Sequence, residues 1–356
     1  MVFPSQTAFG ALYGLGAAVL FGLTTPFLKL FLPVYDLLPV AGLLYLGAGL
    51  GLGLSEIFLT YTKPSGLSRP ETPVQTEDIG LLLGIILTGG IVGPLLMLYG
   101  LQRISAVVGS LLLNLEAPLT ILLAVTLFRE HLGKREAVAA IVIFAGAGIL
   151  SYRPEAVYGD WLGIISISGA CVCWAVDNNL TQGLSLRSPV AIARIKGLSA
   201  GACSLGLSWV LDLEFPDMTA ISLIMVLGFV GYGISVVLDI YALRILGAAR
   251  EAAFFATAPF IGAFAAVLIL GEHWGFEEYV AGATMAIGVS VLLREHHRHF
   301  HVHTGMEHDH IHTHADPHHQ HDHEEEVVGS HAHWHRHLPL QHDHGHVSDV
   351  HHRHKH

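Results

Sequence analysis

Residues 129–136 read Arg-Glu-His-Leu-Gly-Lys-Arg-Glu, and residues 271–278 read Gly-Glu-His-Trp-Gly-Phe-Glu-Glu. Each octet follows an apolar run that contains an Ala-Pro pair, at Ala117-Pro118 and at Ala258-Pro259. The octets stand 142 positions apart, and further matches keep the same order at similar offsets. A duplicated unit that gained and lost loop residues produces this pattern. The sequence therefore predicts one structural unit present twice, although any single match between glycine-rich apolar helices could arise by chance.

The composition of the chain argues against an ordinary soluble protein. Of its 356 residues, 52% are hydrophobic and 13% are charged, whereas soluble domains carry roughly 25% charged residues. A helix needs roughly 17–25 apolar residues to cross a bilayer. Ten runs meet this requirement, at residues 8–28, 37–59, 79–101, 105–128, 136–152, 161–180, 190–211, 220–243, 252–270 and 277–293. The predicted fold class is an all-α membrane protein with ten transmembrane helices.

Five of these spans fall in each copy of the repeat, at residues 1–153 and 154–294. Matching positions in the two copies hold Pro39-Val-Ala with Pro189-Val-Ala, and Phe21-Gly22 with Trp174-Ala175. Because five is odd, the second copy must insert upside down relative to the first, and inverted repeats recur in secondary transporters. The predicted architecture is two inverted five-helix repeats followed by a tail at residues 295–356.

The basic residues of the loops predict the orientation, since cytoplasmic loops of membrane proteins carry an excess of lysine and arginine. With the amino terminus in the cytoplasm, ten lysines and arginines fall on the inner side and three on the outer side. Both termini, and with them the whole tail, are therefore predicted to be cytoplasmic. The chain is expected to be a multi-pass protein of the cell (inner) membrane, with the lipid bilayer around it.

Residues 8–294 resemble the EamA-type branch of the drug/metabolite transporter superfamily. The segments that carry the resemblance are Leu115-Glu-Ala-Pro118 with Phe128-Arg-Glu130, and Thr257-Ala-Pro259 with Leu270-Gly-Glu272. The resemblance implies ten spans, a pore between the two halves, and export or exchange of small metabolites, without naming one substrate. The tail lies outside the shared pattern.

Polar residues inside the spans are functional candidates, because a charge within the bilayer is costly unless a cavity or a partner accommodates it. Glu116 is the deepest charge, and it could carry a proton or form a hydrogen bond within the bundle as a neutral carboxyl group. Four charges share one depth near the cytoplasmic side: Asp177, Arg194, Lys196 and Asp239. They could pair as a structural clamp, or line an inner vestibule in which the basic residues attract an anionic group. The candidate substrate pathway comprises Glu116, Asn114, Asp177, Asn178, Arg194, Lys196, Asp239, Tyr99 and Tyr241.

Two prolines and two histidines also occupy repeat-related positions. Pro118 and Pro259 interrupt the fourth and ninth spans, where each removes a backbone hydrogen bond. They are candidate hinges for alternating access, or fixed kinks that serve packing. His131 and His273 fall on opposite faces of the membrane in an inverted repeat, so they cannot share a metal ion. The three cysteines lie in apolar runs and predict no disulfide framework.

The tail concentrates histidine, with 24 of the 26 histidines between His296 and His356. It contains few large apolar residues, so disorder is predicted. Neutral imidazole binds Zn, Ni, Co and Cu ions, and histidine-rich tracts of this kind indicate metal binding. A solvated tail, or one that responds to pH, is the alternative. The candidate metal ligands are His308, His310, His312, His314, His319, His321, His323, His331, His333, His335, His337, His342, His344, His346, His352, His354 and His356.

The sequence argues against some functions and leaves three open. A net charge of -11 disfavours nucleic acid as a partner. Neither a Gly-x-x-x-x-Gly-Lys-Ser/Thr loop nor a catalytic constellation occurs in the sequence, so no enzyme is predicted and no cofactor is required for transport. The favoured function is a secondary, non-ATP transporter that exports a small-molecule solute and carries a metal-binding regulatory tail. The alternatives are efflux of a divalent transition metal such as Zn, Ni or Co, and a membrane-anchored metal store or sensor. The sequence leaves the oligomeric state open, with a homodimer as one possibility.

Overall fold

The computed structural model of the protein describes residues 6–62, 73–128, 134–151, 161–184, 187–246, 254–293, 297–303, 306–312, 331–337 and 340–346. Up to residue 293 these residues are mainly helical. In chain order the helices are α1 (Gln6–Lys29), α2 (Leu37–Thr62), α3 (Thr76–Arg103), α4 (106–128), α5 (Lys134–Ser151), α6 (Trp161–Gln182), α7 (Pro189–Val210), α8 (218–246), α9 (Ala258–Leu270) and α10 (Phe276–Leu293).

Each predicted apolar run overlaps one of these helices in the part of the chain that the structure describes. Seven of them, α1 to α4 and α6 to α8, are long and apolar enough to cross a membrane, while α5 and α9 contain shorter apolar stretches. Large apolar side chains are exposed along the bundle, among them Leu54, Ile141 and Leu268. A surface of this kind suits lipid. The total number of crossings stays a prediction.

Helices α2 and α7 hold equivalent positions in the two repeats and pack against one another in antiparallel directions. A Cβ atom on Gly42 would meet the side chain of Leu205, whereas one on Gly49 would meet Leu198. The contact therefore moves backward along α7 as it moves forward along α2. A Cβ on Gly49 would lie 2.6 Å from the backbone nitrogen of Leu198, so glycine allows the two backbones to approach this closely.

Other helix contacts also recur when each helix is replaced by its equivalent in the other half. α1 packs on α8 and α9, and its equivalent α6 packs on α3 and α4, the equivalents of those two helices. α5 packs on its own equivalent, α10, and α4 packs on α9. Exchanging the first five helices for the second five therefore leaves this set of contacts unchanged.

The irregular turns of the helices also recur in both halves. α3 and α8 each contain a stretch of π-helix, at Ile86–Val92 and Phe229–Ile234. α4 is interrupted by a 3-10 turn at Leu113–Leu115, and the chain turns at residues 256–257 before α9 begins. The two prolines follow these breaks, each in the first turn of an α-helical segment, where a helix tolerates a missing backbone N–H. The breaks end two or three residues before the prolines, and a hinge motion stays a prediction.

The tail contains four strands, β1 (His297–His303), β2 (Met306–His312), β3 (His331–His337) and β4 (Leu340–His346). β1 pairs antiparallel with β4, and β2 pairs antiparallel with β3. Both ladders keep one register, since His297 stands opposite His346 and His312 opposite His331. The sequence predicts disorder here from the scarcity of apolar residues. The structure differs in these four segments, because histidine at every second position has the period of a β-strand.

Candidate functional site

An ion pair between α6 and α7 lies against the π-helical turn of α3. The Nζ atom of Lys196 is 2.5 Å from Oδ2 of Asp177, and the two side chains are 16% and 9% exposed. A Cβ on Gly89 would lie 2.3 Å from Cγ of Asp177, and one on Gly90 would lie 3.6 Å from Cγ of Lys196. The carboxyl group of Asp177 therefore fits in this position because the residue that faces it is Gly89, whereas a Cβ on Gly90 would make only an ordinary contact with Lys196.

The π-helical turn presents a backbone carbonyl to two aromatic side chains. The hydroxyl of Tyr45 donates to the carbonyl oxygen of Gly89 at 2.6 Å, and Nε1 of Trp174 donates to the same oxygen at 3.3 Å. Turns of π-helix inside α-helices frequently occur at functional sites. Here the turn connects α2, α3 and α6 beside the ion pair.

Glu116 begins the second segment of α4, directly after the 3-10 turn. Its Oε1 atom accepts a hydrogen bond from Nδ2 of Asn178 at 2.7 Å. Asn178 follows Asp177 on α6, so Glu116 lies beside the ion pair of Asp177 and Lys196. The structure thus brings together four of the residues that the sequence places on the substrate pathway. Asp239, which is half-buried on α8, comes from the second half of the chain.

A cluster of aromatic rings occupies the same region. The ring centroids of Phe21 and Phe255 are 5.2 Å apart, those of Tyr45 and Tyr232 are 5.3 Å apart, and those of Phe21 and Tyr232 are 5.6 Å apart. Trp174 lies edge-on to Phe21 at 6.3 Å. These five residues come from separate parts of the chain, so the sequence did not predict the cluster. Its one signal is that Phe21 and Trp174 occupy equivalent positions in the repeats.

The contact between an α6 side chain and the α3 turn has an equivalent in the other half. At the offset that relates Phe21 to Trp174, Asp177 corresponds to Thr24, and at the offset of 142 Gly89 corresponds to Gly231. A Cβ on Gly231 would lie 2.1 Å from Oγ1 of Thr24, so this pair is also in close contact. The two halves share the packing, and only one of them has a carboxylate there.

Lys196, the basic partner of Asp177, likewise has no charged equivalent in the first half. At the offset that relates Pro39 to Pro189, Lys196 corresponds to Leu46. The fold thus accepts a threonine and a leucine where the second half has the ion pair. The packing of two five-helix units does not require these charges.

The remaining pathway candidates lie apart from this group. Arg194 forms an ion pair with Glu56 of α2, and these side chains are 34% and 46% exposed, so Arg194 does not join Lys196. The Tyr99 ring stacks with the Arg103 guanidinium, 4.6 Å from the ring centroid. Tyr241 faces Tyr13, with centroids 6.3 Å apart, in another contact between the halves.

Asn114 is buried in the 3-10 turn of α4. Its Nδ2 atom donates to the carbonyl oxygen of Leu111 at 3.0 Å. Its Oδ1 atom is buried and accepts no hydrogen bond from the described residues. Since Pro118 provides no N–H, the carbonyl of Asn114 also has no helical donor four residues later.

The corner between α3 and α4 (residues 103–106) is held from two sides. The carboxylate of Glu272 accepts hydrogen bonds from the backbone N–H groups of Ala106 and Val107, at 2.8 Å each. The ammonium of Lys29 donates to two carbonyl oxygens at the end of α3. An anion at the start of one helix and a cation at the end of another both suit the helix dipoles.

This contact explains the Gly-Glu segment on which the family resemblance partly depends. Gly271 ends α9 at φ 66°, in the left-handed region that glycine adopts most easily. The turn brings Glu272, the next residue, to the start of α4. The equivalent Glu130 lies outside the described residues.

The loop between the first two helices of each repeat also contacts the start of a helix in the other repeat. Tyr35, between α1 and α2, donates to Oδ2 of Asp217, the residue that caps α8, at 2.5 Å. Arg187, between α6 and α7, binds Asp78 at the start of α3 at 2.8 Å. The hydrogen bond from Tyr35 lowers the pKa of Asp217 and raises the pKa of Tyr35 itself.

The metal predictions fall largely outside the described side chains. Among the residues whose side chains the structure describes, three or more His, Cys, Asp and Glu side chains nowhere come together as a metal site. His273 is exposed, and His131 lies outside the described residues. The structure describes the tail histidines only as strand backbone, or not at all. Metal binding by the tail stays a prediction.

Comparison with known proteins agrees with the fold. The profile of the EamA-like transporter family matches residues 8–152 and 161–294. An uncharacterized transporter of Methanothermobacter thermautotrophicus is 28% identical over 298 residues, covering 78% of this chain and 83% of that protein. A solved structure described only as the crystal structure of a protein has a TM-score of 0.58 and 18% identity, and the match covers 82% of this chain and 99% of that one. The last likeness concerns the fold alone.

Proposed function

The chain belongs to the EamA-like transporter family, and we propose on this basis that it is a secondary, ATP-independent transporter that exports a small metabolite by alternating access. It is a multi-pass membrane protein. In the proposed arrangement two inverted five-helix repeats form ten spans of the cell (inner) membrane, with both termini in the cytoplasm. The antiparallel packing of α2 on α7 and the exchange of helix contacts support the inversion. The lysine and arginine bias supports the orientation.

The observation that carries the proposal is the ion pair of Asp177 and Lys196 at the π-helical turn. Moving two charges out of water costs free energy that their attraction only roughly offsets, and apolar residues make a structural contact without that cost. The equivalent positions in the other half hold Thr24 and Leu46. The ion pair occurs in one half only and lies beside Glu116 and the Gly89 carbonyl that accepts hydrogen bonds from side chains. Such an arrangement is typical of a solute pathway.

Substitution of both charges together tests this function. A single substitution would leave a buried charge unpaired, at a cost of roughly 3–5 kcal/mol, and would destabilise the protein for that reason alone. The double variant Asp177→Asn/Lys196→Met removes both charges and nearly keeps the volume, so it should fold. Solute flux into proteoliposomes should then fall roughly tenfold or more, which corresponds to about 1.4 kcal/mol in the rate-limiting step.

The matched control is the double variant Glu56→Gln/Arg194→Met. It removes a second ion pair between α2 and α7 that is partly exposed and separate from Asp177. Flux through the control should stay near the wild-type value. The solute itself can be found by testing a deletion strain for growth on metals and amino-acid analogues. Normal flux through the Asp177/Lys196 variant would mean that the pair is a structural clamp.

The tail is proposed to bind Zn, Ni, Co or Cu ions and to regulate transport. In the two ladders the backbone register sets histidine opposite histidine at six positions, which supports the proposal because imidazole is a preferred ligand of these metals. Calorimetric titration of zinc into the full-length protein and into residues 1–294 tests it. Binding should be lost in the shorter protein, which should transport the solute without any response to zinc. Equal zinc binding by both proteins would exclude the tail as the site.

The same pairing of histidines favours metal efflux as the second candidate function. Stopped-flow metal uptake into proteoliposomes separates the two. Metal flux through residues 1–294 that disappears in Asp177→Asn/Asp239→Asn would favour efflux. Flux of an organic solute without the tail would favour the metabolite exporter. Absence of any flux would favour a membrane-anchored metal store or sensor.

A further inference from the structure

Each ladder of the tail sets histidine against histidine on one of its two faces. In an antiparallel ladder, residues two apart along a strand share a face, and so do residues that stand directly opposite one another. The pairing of β2 with β3 contains three such opposite pairs: His308 with His335, His310 with His333 and His312 with His331. The pairing of β1 with β4 contains three more, from His297 with His346 to His301 with His342. Three pairs of histidines therefore lie on one face of each ladder.

The other face of the β2–β3 ladder carries residues of a different kind. Between the histidines, Glu307 stands opposite Arg336, and Ile311 stands opposite Ala332. A facing pair of opposite charges stabilises an antiparallel ladder. A slip of one residue would separate this pair and would move the histidines of one strand to the face away from those of the other strand. The register that pairs the charges is therefore also the register that pairs the histidines.

The order of pairing makes the tail a nested arrangement of two ladders. α10 ends at Leu293 and β1 begins at His297, so the β1–β4 ladder starts directly after the last helix along the chain. The same ladder places His346, from the far part of the tail, opposite His297. β2 and β3 lie between these two strands in the sequence. Closing both ladders therefore brings the far part of the tail back toward the end of α10.

The spacing of the paired histidines suits an ion that is shared between two strands. Cβ atoms of directly opposite residues lie roughly 4.5–5.5 Å apart, and residues two apart along a strand lie about 7 Å apart. Two neighbouring pairs, such as His308 with His335 and His310 with His333, thus occupy the corners of a small rectangle. Zinc takes four ligands, binds imidazole nitrogen at about 2.0–2.1 Å, and has no geometric preference from its d electrons. A zinc ion can therefore take ligands from both strands at such a rectangle.

We infer that zinc binds between the two strands of each ladder, where histidines of both strands hold each ion, so that metal binding and strand pairing stabilise one another. The inference rests on the proposed metal-binding role of the tail and specifies its geometry. An isolated two-stranded ladder is only marginally stable in water. The free energy of binding at a site that exists only in the paired state becomes free energy of folding. Zinc thus closes the tail beside the end of α10, and this closed state is the regulatory signal.

The test exchanges neighbouring residues, so that the amino-acid composition of the tail is unchanged. The pair-breaking variant combines Ala332→His/His333→Ala/Trp334→His/His335→Trp in β3 with Gln341→His/His342→Gln/Asp343→His/His344→Asp in β4. It moves two histidines of each strand to the other face and removes four of the six opposite pairs. The matched control, Ala332→Trp/Trp334→Ala/Gln341→Asp/Asp343→Gln, rearranges the other face and keeps all six pairs. Both variants leave residues 1–294 unchanged.

Two measurements on the full-length proteins in lipid nanodiscs compare these variants with the wild type. Zinc is titrated calorimetrically, and hydrogen exchange of the tail amides is followed by mass spectrometry with and without zinc. In the wild type and the control, zinc should slow exchange in the four strands roughly tenfold or more, because it stabilises the paired state. The pair-breaking variant should bind zinc roughly tenfold or more weakly, a difference of about 1.4 kcal/mol. Zinc should leave its exchange rates unaltered.

The inference and the metal-binding role of the tail fail in distinguishable ways. Equal zinc affinity of the pair-breaking variant and the wild type would overturn the inference, because the number of histidines would then determine binding. Zinc binding to the wild type without slower exchange would also overturn it, as would an equal loss of affinity in the control. In these cases the tail would still be a metal-binding segment. If the full-length wild type bound no zinc, that role itself would fail, and the inference with it.

Discussion

Replacing Gly89 with alanine should damage the ion pair without altering a charged residue. A Cβ at this position would lie 2.3 Å from Cγ of Asp177, about 1.1 Å inside the 3.4 Å at which ordinary van der Waals contact begins. Either the π-helical turn or Asp177 must move by about that distance, and Asp177 is held 2.5 Å from Lys196. Overpacking of this kind costs roughly 1–3 kcal/mol. Solute flux should fall together with stability.

Gly80→Ala in the same helix is the matched control. A Cβ on Gly80 meets nothing within 4 Å, so no contact is disturbed. Alanine forms helix better than glycine by up to about 1 kcal/mol, which makes this variant neutral or slightly stabilised. The two variants should therefore differ by about 1–4 kcal/mol in free energy of unfolding. Chemical denaturation in mixed micelles, followed by circular dichroism, measures the difference.

A second background identifies the clash as the cause. Asp177→Ala removes the Cγ atom with which the new methyl group collides. The loss in free energy of unfolding caused by Gly89→Ala should therefore be smaller by at least about 1 kcal/mol in the Asp177→Ala protein than in the wild type. Equal costs in the two backgrounds, or a Gly89→Ala protein as stable as Gly80→Ala, would refute the reasoning.

Three further substitutions have defined outcomes. Glu272→Ala should lower the free energy of unfolding by roughly 1–2 kcal/mol, because α4 loses its capping carboxylate, and chemical denaturation measures the loss. Lys196→Met should cost roughly 3–5 kcal/mol by leaving a buried carboxylate unpaired, whereas Arg194→Met, in an exposed pair, should cost about 0–1 kcal/mol by the same measurement. Tyr35→Phe should raise the pKa of Asp217 toward its ordinary value, because the hydroxyl that lowers it is gone. That contact contributes to stability above the ordinary carboxyl pKa and is lost as pH falls through the lowered pKa of Asp217, so thermal unfolding of Tyr35→Phe and wild type should converge in acid.

Each of these expectations has an opposite result that would contradict it. A stable Glu272→Ala protein would mean that the carboxylate does not cap α4 in solution. Equal losses for the lysine and arginine variants would mean that both ion pairs are equally buried. If the unfolding curves of Tyr35→Phe and wild type stay apart in acid, the difference in stability does not come from the hydrogen bond to ionised Asp217.

The membrane helices could be predicted because their signal is local. A run of apolar residues long enough to cross hydrocarbon needs no knowledge of its neighbours. Partners were harder to predict, since depth in the membrane is one coordinate and contact also requires direction. Arg194 and Lys196 share a depth, but residues two apart on a helix point about 200° from one another. One therefore reaches Glu56 and the other Asp177.

The aromatic cluster and the π-helical turns could not be predicted for a related reason. Each ring of the cluster belongs to a different part of the chain, and no spacing in the sequence connects Phe21 with Tyr232 or Phe255. A π-helical turn depends on how α3 packs, and Gly89-Gly90 alone is compatible with an ordinary helix. The sequence did contain the clue to the asymmetry, since Asp177 and Thr24 occupy equivalent positions.

The hydrogen bonds from Ala106 and Val107 to Glu272 make the first half dependent on the second for completing one of its own helices. A fragment that ends before residue 154 would leave these two N–H groups without their carboxylate. Co-expression of the two halves as separate polypeptides should therefore restore a protein that neither forms alone.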